Sequence, residues 1–171
     1  QAMKRGITRE KTDALIQDIR MKVPDIAIRT TLITGFPGET AADHNELLKW
    51  IEQSRFERLG VFTYSHEENT TAFALNDDVS AKTKKKRADE IMEVQSHISL
   101  ELNEAKVGKT FKVLVDKVEG DYYIGRTEFD SPEVDNEVVI PKSEGYLRVG
   151  DFANIEIVRA EHYDLIGKIK A

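Results

Sequence analysis

Two glycines bracket the segment Gly35-Phe36-Pro37-Gly38, which is followed by Glu39 and Thr40, and their type and spacing bear most directly on chemistry. Glycine allows a backbone to approach a ligand closely, and the N–H groups that open a following helix favour an anionic group. The segment follows a run rich in β-branched residues, Ile26 to Thr34, that reads as a buried strand. It therefore falls at the carboxyl end of a strand, the edge where α/β folds place ligands. Without that context, Gly-x-Pro-Gly reads simply as a turn.

Other chemistries are excluded by residue type. The chain has no Cys, and its four His residues, at positions 44, 66, 97 and 162, show no metal-ligand spacing. Thiolate metal sites and Cys nucleophiles are ruled out, so the chain alone is expected to bind no metal ion and no iron–sulfur cluster. The net charge of −6 disfavours nonspecific binding to a phosphate backbone and suits a basic partner. No apolar run approaches the length of about 18 residues that a membrane-spanning helix needs, and residues 1–6 show no secretory pattern, so a cytoplasmic location is the expectation.

The loop must be positioned by its neighbours. Leu15, Ile16 and Ile19 fall at helical spacing between Thr8 and Met21, and Pro24 ends that helix. After the loop, Thr40 can cap a helix whose apolar face is Leu47, Leu48 and Ile51, with Asp43 completing a short-armed capping box. A second strand follows at Leu59 to Ser65. Helix, strand, helix, strand is the alternation of a parallel α/β sheet. Two strands cannot close a barrel, so this portion is expected to be an incomplete piece of a larger sheet.

A long helix from about Ala81 to Glu104 carries Ile91, Met92, Val94, Gln95, Ile98 and Leu102 and is expected to link two domains. Its basic start, Lys82-Thr83-Lys84-Lys85-Lys86-Arg87, reads as a solvated first turn. Five short strands follow, at 111–116, 122–127, 137–140, 153–158 and 165–169, separated by turn residues. That pattern predicts a small OB-like β-barrel, an architecture that commonly serves in recognition.

Several stretches carry a specific resemblance. Ile28 to Thr40 resembles the fifth strand and following loop of radical S-adenosylmethionine methylthiotransferases, and Met3-Lys4-Arg5-Gly6-Ile7-Thr8 resembles that family's Met-x-Arg-Gly-x-Thr segment. Val61 to Thr70 is similar to the sixth strand and its exit loop. The β-rich tail resembles a TRAM domain, with Tyr123 to Thr127, Asp130 to Asp135 and Tyr163 to Gly167 in the order of the family's RimO branch. The resemblance implies a fold class of α/β followed by all-β. Residues 1–80 would be the C-terminal part of a partial (β/α) radical S-adenosylmethionine barrel, 81–104 a linking helix, and 105–171 a five-stranded TRAM β-barrel. It also implies an enzyme that uses S-adenosylmethionine and two 4Fe-4S clusters. The cluster cysteines of the family have no counterpart here, so this chain by itself is expected to be inactive, with no catalytic residue and no bound cofactor of its own.

On that resemblance, Arg5, Arg29, Thr31 and the loop Gly35, Phe36, Pro37 and Gly38 would lie near the cofactor, with Tyr64 and Ser65 on its adenine side. Arg29 would pair with the cofactor carboxylate or with a neighbouring acid. Glu39 is offset by one residue from the acid of a common radical-enzyme pattern and has a structural use beside a helix N-terminus. The family's branches act on an adenosine of tRNA or on an aspartate of the twelfth small-subunit ribosomal protein. Between Val118 and Val138 the chain holds about seven acids with Arg126 as the only base. Such a surface repels phosphates and attracts a basic protein, so a basic small-subunit ribosomal protein is the expected substrate, with tRNA disfavoured. Asp130, Glu133, Asp135 and Glu137 are the expected docking residues. The other readings are a tRNA adenosine methylthiotransferase, a non-catalytic RNA- or protein-binding module, and an unrelated α/β enzyme.

Overall fold

The computed structural model describes residues 6–132 and 134–170. Arg5 and Glu133 lie outside the described residues. The chain divides into two compact units, Gln1–Gln95 and Ser96–Ala171, and each is taken by itself.

In the first unit, α1 (Arg9–Lys22) is capped by Thr8, whose side chain accepts from the Lys11 N–H. Strand β1 (Arg29–Thr34) pairs in parallel with β2 (Arg58–Thr63), in register from Arg29 opposite Arg58 to Thr34 opposite Thr63. β1 is shorter than the apolar run beginning at Ile26 predicts, because a ladder extends only as far as its partner. The N–H of Ile28 is satisfied instead by the Glu57 carboxylate, at 2.8 Å. Between the strands, α2 (Ala41–Ser54) opens with the full capping box formed by Thr40 and Asp43. Its last carbonyls are claimed by Arg20, which donates to the carbonyl of Ser54 at 2.6 Å and of Arg55 at 2.9 Å. Ile51, Phe56, Leu59, Val79 and Ile91 are buried. Among the described residues, the sheet has these two strands alone, as the helix–strand alternation predicts.

Helix α3 (Ala81–Glu104) matches its sequence reading, and its residues fall in both units. The second unit is a closed barrel of five strands: β3 (Thr110–Glu119), β4 (Tyr122–Arg126), β5 (Val138–Pro141), β6 (Phe152–Ala160) and β7 (Leu165–Ile169), in the order β3-β4-β5-β7-β6. All neighbours are antiparallel except β5 and β7. Inward positions alternate along the strands, so Val113, Val115, Tyr123, Val138, Ile140, Ile155, Ile157 and Leu165 form one core. Gly167 lets the strands close: a Cβ there would lie 2.2 Å from Cγ2 of Ile155. Ser99 and Asn103, on the last turns of α3, donate to carbonyls of the β6–β7 connection, at 2.5 Å to His162 and 3.0 Å to Glu161.

The molecule is therefore α/β followed by a closed β-barrel, in the order its sequence predicts. No helix among the described residues is long and apolar enough to cross a membrane.

Candidate functional site

The loop after β1 turns on Gly35 and Gly38, both in the left-handed region at φ 76° and 85°. Three N–H groups of the loop and helix cap are taken by the chain's own carboxylates. The Gly35 N–H donates to Oε2 of Glu39 at 2.8 Å, the Gly38 N–H to Oδ1 of Asp78 at 2.8 Å, and the Thr40 N–H to Oδ2 of Asp43 at 2.8 Å. These bonds hold the loop in its turn and fix the start of the helix that follows. Asp43 is held below the ordinary aspartate range, first by the Thr40 hydroxyl and then by the Thr40 backbone N–H.

Glu39 is committed elsewhere as well. Its Oε1 accepts from the Thr34 hydroxyl at 3.2 Å and forms an ion pair with Arg87 at 2.7 Å, and Arg87 also donates to the Glu39 carbonyl at 3.1 Å. These contacts, rather than the helix dipole, are what the acid chiefly serves. Lys84 lies one turn earlier on α3. Its methylenes cover Gly35, where a Cβ would come within 2.3 Å of Lys84 Cγ. Its ammonium donates to the Tyr64 carbonyl at 3.2 Å and to Asp77 at 2.7 Å, and lies 4.9 Å from the centre of the Tyr64 ring.

The basic run is therefore not a wholly solvated turn. Lys84 and Arg87 are buried, at 7% and 8% exposure, while Lys82, Lys85 and Lys86 are exposed. The sequence held a signal for this: stepping back from Ile91 by four and by seven residues lands on Arg87 and Lys84, so the buried stripe of the helix continues through them. Buried cations need partners, and the acids waiting for them are Glu39 and Asp77.

Of the residues that sequence reasoning singled out, the structure brings Phe36, Tyr64 and Ser65 together at the carboxyl edge of the sheet, whereas Arg29 opens β1 at its amino end. Phe36 meets Tyr64 edge to face, with ring centres 5.2 Å apart, and the Tyr64 N–H donates to the Thr34 carbonyl at 2.8 Å. The Ser65 hydroxyl donates to Glu67 at 2.6 Å. Arg29 and Thr31 share the exposed face of β1 with Ile33, and Ile33 is paired in register with Phe62, which is 66% exposed. One face of the sheet thus carries a guanidinium, a hydroxyl and an apolar pair. That donor set suits a small zwitterionic molecule with an apolar portion. It does not suit an iron–sulfur cluster, which needs thiolates. No group of three or more metal-ligating side chains occurs among the described residues.

On the barrel, the expected docking residues separate. Asp130 is buried and accepts from the Thr127 hydroxyl at 2.5 Å, so its carboxylate serves the turn after β4 and is withdrawn from the surface. Asp135 accepts from the Ser131 N–H at 2.8 Å, and Glu137 pairs with Lys117 at 3.1 Å. Both line a cleft of about 280 Å³ together with Asp116, Lys117 and Arg126.

A parallel α/β pair of strands and a closed five-stranded barrel are the two architectures that the chain combines. Comparison with known proteins makes this particular. Residues 107–169 match the TRAM domain family. Proteins described as ribosomal protein uS12 methylthiotransferase RimO are similar to nearly the whole chain. That of Christiangramia forsetii is 54% identical over 98% of this chain and 37% of its own length. That of Cytophaga hutchinsonii is 54% identical over 98% of this chain and 38% of its own. The Chlorobaculum tepidum protein is 49% identical over 99% and 39%. A solved multidomain protein with nucleic acid binding domains from Streptococcus pneumoniae overlaps 39% of this chain and 23% of its own, at 17% identity and a TM-score of 0.31, too slight to bear on the fold. The chain is similar over nearly its whole length to these RimO proteins and spans somewhat more than a third of theirs.

Proposed function

We propose that this chain is the part of a RimO-type methylthiotransferase that supplies one edge of the S-adenosylmethionine site and the substrate-recognition barrel. Its substrate is an aspartate of ribosomal protein uS12, which gains a methylthio group. The observation that carries the reading is identity of 46–54% with uS12 methylthiotransferases over at least 98% of the chain.

S-adenosylmethionine, with the two 4Fe-4S clusters of the whole enzyme, supplies the radical and methyl chemistry when bound. The part played by this chain is binding, orientation and exclusion of water. Arg29 and Thr31 face the polar end of the cofactor, Ile33 and Phe62 give its apolar portion a wall, and the loop Gly35 to Gly38 with Tyr64 and Ser65 borders its adenine. The cluster ligands come from outside this chain, which has no Cys.

The acid-rich barrel supports a protein substrate over tRNA. From Val118 to Val138 acids outnumber bases by about seven to one, and counterion release from a phosphate backbone needs the opposite balance. Asp135 and Glu137, beside the barrel cleft, are the docking acids for this basic partner.

The test is transfer of function. This chain, put in place of the matching segment of the Cytophaga hutchinsonii relative, is reconstituted with iron and sulfide and supplied with reductant and S-adenosylmethionine. Offered uS12 and unmodified tRNA in parallel, it should add the mass of a methylthio group to uS12 and leave tRNA unchanged. Modification of tRNA alone would assign the chain to the other branch, and a chimera that folds, carries its clusters and modifies neither would refute the enzymatic reading.

A further inference from the structure

The geometry points to Lys84 and Arg87 of α3 as positioning residues: they clamp the loop Thr34 to Glu39 and the exit of β2 in the shape the cofactor edge requires. This inference rests on the reading of that edge as the S-adenosylmethionine side of the site.

Three features of the clamp argue for a positioning role beyond simple burial of two cations. First, beside the ion pairs with Asp77 and Glu39, its contacts include backbone groups of the loop and of the β2 exit. Arg87 reaches the Glu39 carbonyl and carboxylate, that carboxylate in turn holds the Gly35 N–H, and Lys84 holds the Tyr64 carbonyl. The direction of a backbone group at a ligand-facing edge is what decides whether a bound molecule is oriented for reaction. Second, the two cations close on the edge from one side. Lys84 lies over Gly35 and under the Tyr64 ring, and Arg87 lies behind Glu39, so the tips of both strands are fixed to a single helix face. Third, the clamp is shut off from water at its centre, with Thr34 at 0%, Lys84 at 7% and Arg87 at 8% exposure. Hydrogen bonds to charged groups hold their geometry best where water does not compete.

Both cations are buried, whereas Arg29 and Thr31 stand exposed on β1. Their effect passes through Glu39, Gly35 and Tyr64. This separates them from the exposed Lys82, Lys85 and Lys86 of the same run, which make no contact with the loop among the described hydrogen bonds; Lys85 and Lys86 pair along the helix with Asp89 and Glu90.

The experiment has two readouts. In the 171-residue chain, amide hydrogen exchange of Gly35 is measured for wild type, Arg87→Gln, the conservative Arg87→Lys, and the exposed control Lys86→Gln. In the chimera described above, the same variants are assayed for KM of S-adenosylmethionine and for kcat. The expected result for Arg87→Gln is exchange at Gly35 faster by about tenfold, unchanged exchange at Val113 and Ile155 in the barrel, and a KM raised by about tenfold with the smaller change in kcat. Arg87→Lys should recover part of both effects, and Lys86→Gln should change neither. Should Arg87→Gln fail to fold, Glu39→Gln keeps an oxygen for the Gly35 N–H but drops the ion pair, and should show the same changes at smaller size. Unchanged exchange at Gly35 in both variants overturns the clamp. Faster exchange with an unchanged KM, in a chimera that turns over, overturns the positioning role, while the reading of the edge is decided separately by photolabelling with an analogue of S-adenosylmethionine.

Discussion

The guanidinium of Arg87 lies 2.7 Å from the carboxylate of Glu39, with both side chains nearly sealed from solvent at 10% and 13% exposure. Removing one partner strands a charge, whereas replacing both with apolar groups removes the desolvation cost along with the attraction. Arg87→Met is therefore expected to lower unfolding stability by about 3 kcal/mol, and the double variant Arg87→Met, Glu39→Leu to recover only part of that loss, because the Gly35 N–H and the Thr34 hydroxyl lose their acceptor. Urea denaturation of the four members of the cycle checks this. Equal losses in the single and double variants would count against a buried, mutually compensating pair.

Gly35 and Gly38 share a positive φ but differ in surroundings: Lys84 fills the space a Cβ would need at Gly35, and nothing lies within 4 Å at Gly38. Alanine at Gly38 should cost about 1 kcal/mol, the strain of the left-handed backbone alone. At Gly35 the cost should be larger, because Lys84 must also give way. Comparing the two variants by thermal unfolding isolates the second effect.

The Thr40–Asp43 capping box fixes the start of α2. Thr40→Ala should cost about 1 kcal/mol. The lowered pKa of Asp43 adds a pH dependence with a definite sign: the contribution is present above the unfolded value of about 4 and is lost as pH falls through the lower folded value. Acid unfolding of wild type against Asp43→Asn should show the wild-type advantage shrinking as pH drops below that range. An advantage that grew with acidity would contradict the capping geometry.

On the barrel, Asp135 and Glu137 border the cleft while Asp130 is withdrawn into the turn. Reversing Asp135 and Glu137 to Lys should weaken uS12 binding by about tenfold and flatten its salt dependence. Asp130→Asn should disturb the local turn without changing the salt dependence. Isothermal titration at two salt concentrations distinguishes these outcomes.

The order of elements was legible because each carried a local signal: Thr8 and Thr40 as caps, the β-branched run before Gly35, and alternating apolar residues from Phe111 onward. Strand ends were less legible, since β1 begins at Arg29 only because β2 offers no partner earlier. The loop at Gly35 could be located from sequence, but not the fate of its N–H groups. Their acceptors Asp78 and Glu39 depend on how the chain returns, and Asp78 lies 40 residues away in sequence. Lys84 and Arg87 were hidden by composition: within a run of cations, only the helical phase shared with Ile91 separates the two that turn inward. The burial of Asp130 was hidden for the mirror reason, a charged type read as surface where a hydroxyl three residues earlier satisfies it.

The claim at the centre of this account is that the sheet edge bearing Gly35 and Tyr64 lines the S-adenosylmethionine site. Its most direct test is photolabelling of the reconstituted chimera with an azidoadenine analogue of S-adenosylmethionine, followed by mass mapping of the labelled peptides. The account predicts label, competed away by S-adenosylmethionine, on the peptides containing Gly35 to Gly38 or Tyr64 and Ser65. Competable label confined to peptides outside this chain, or to the barrel, would contradict it.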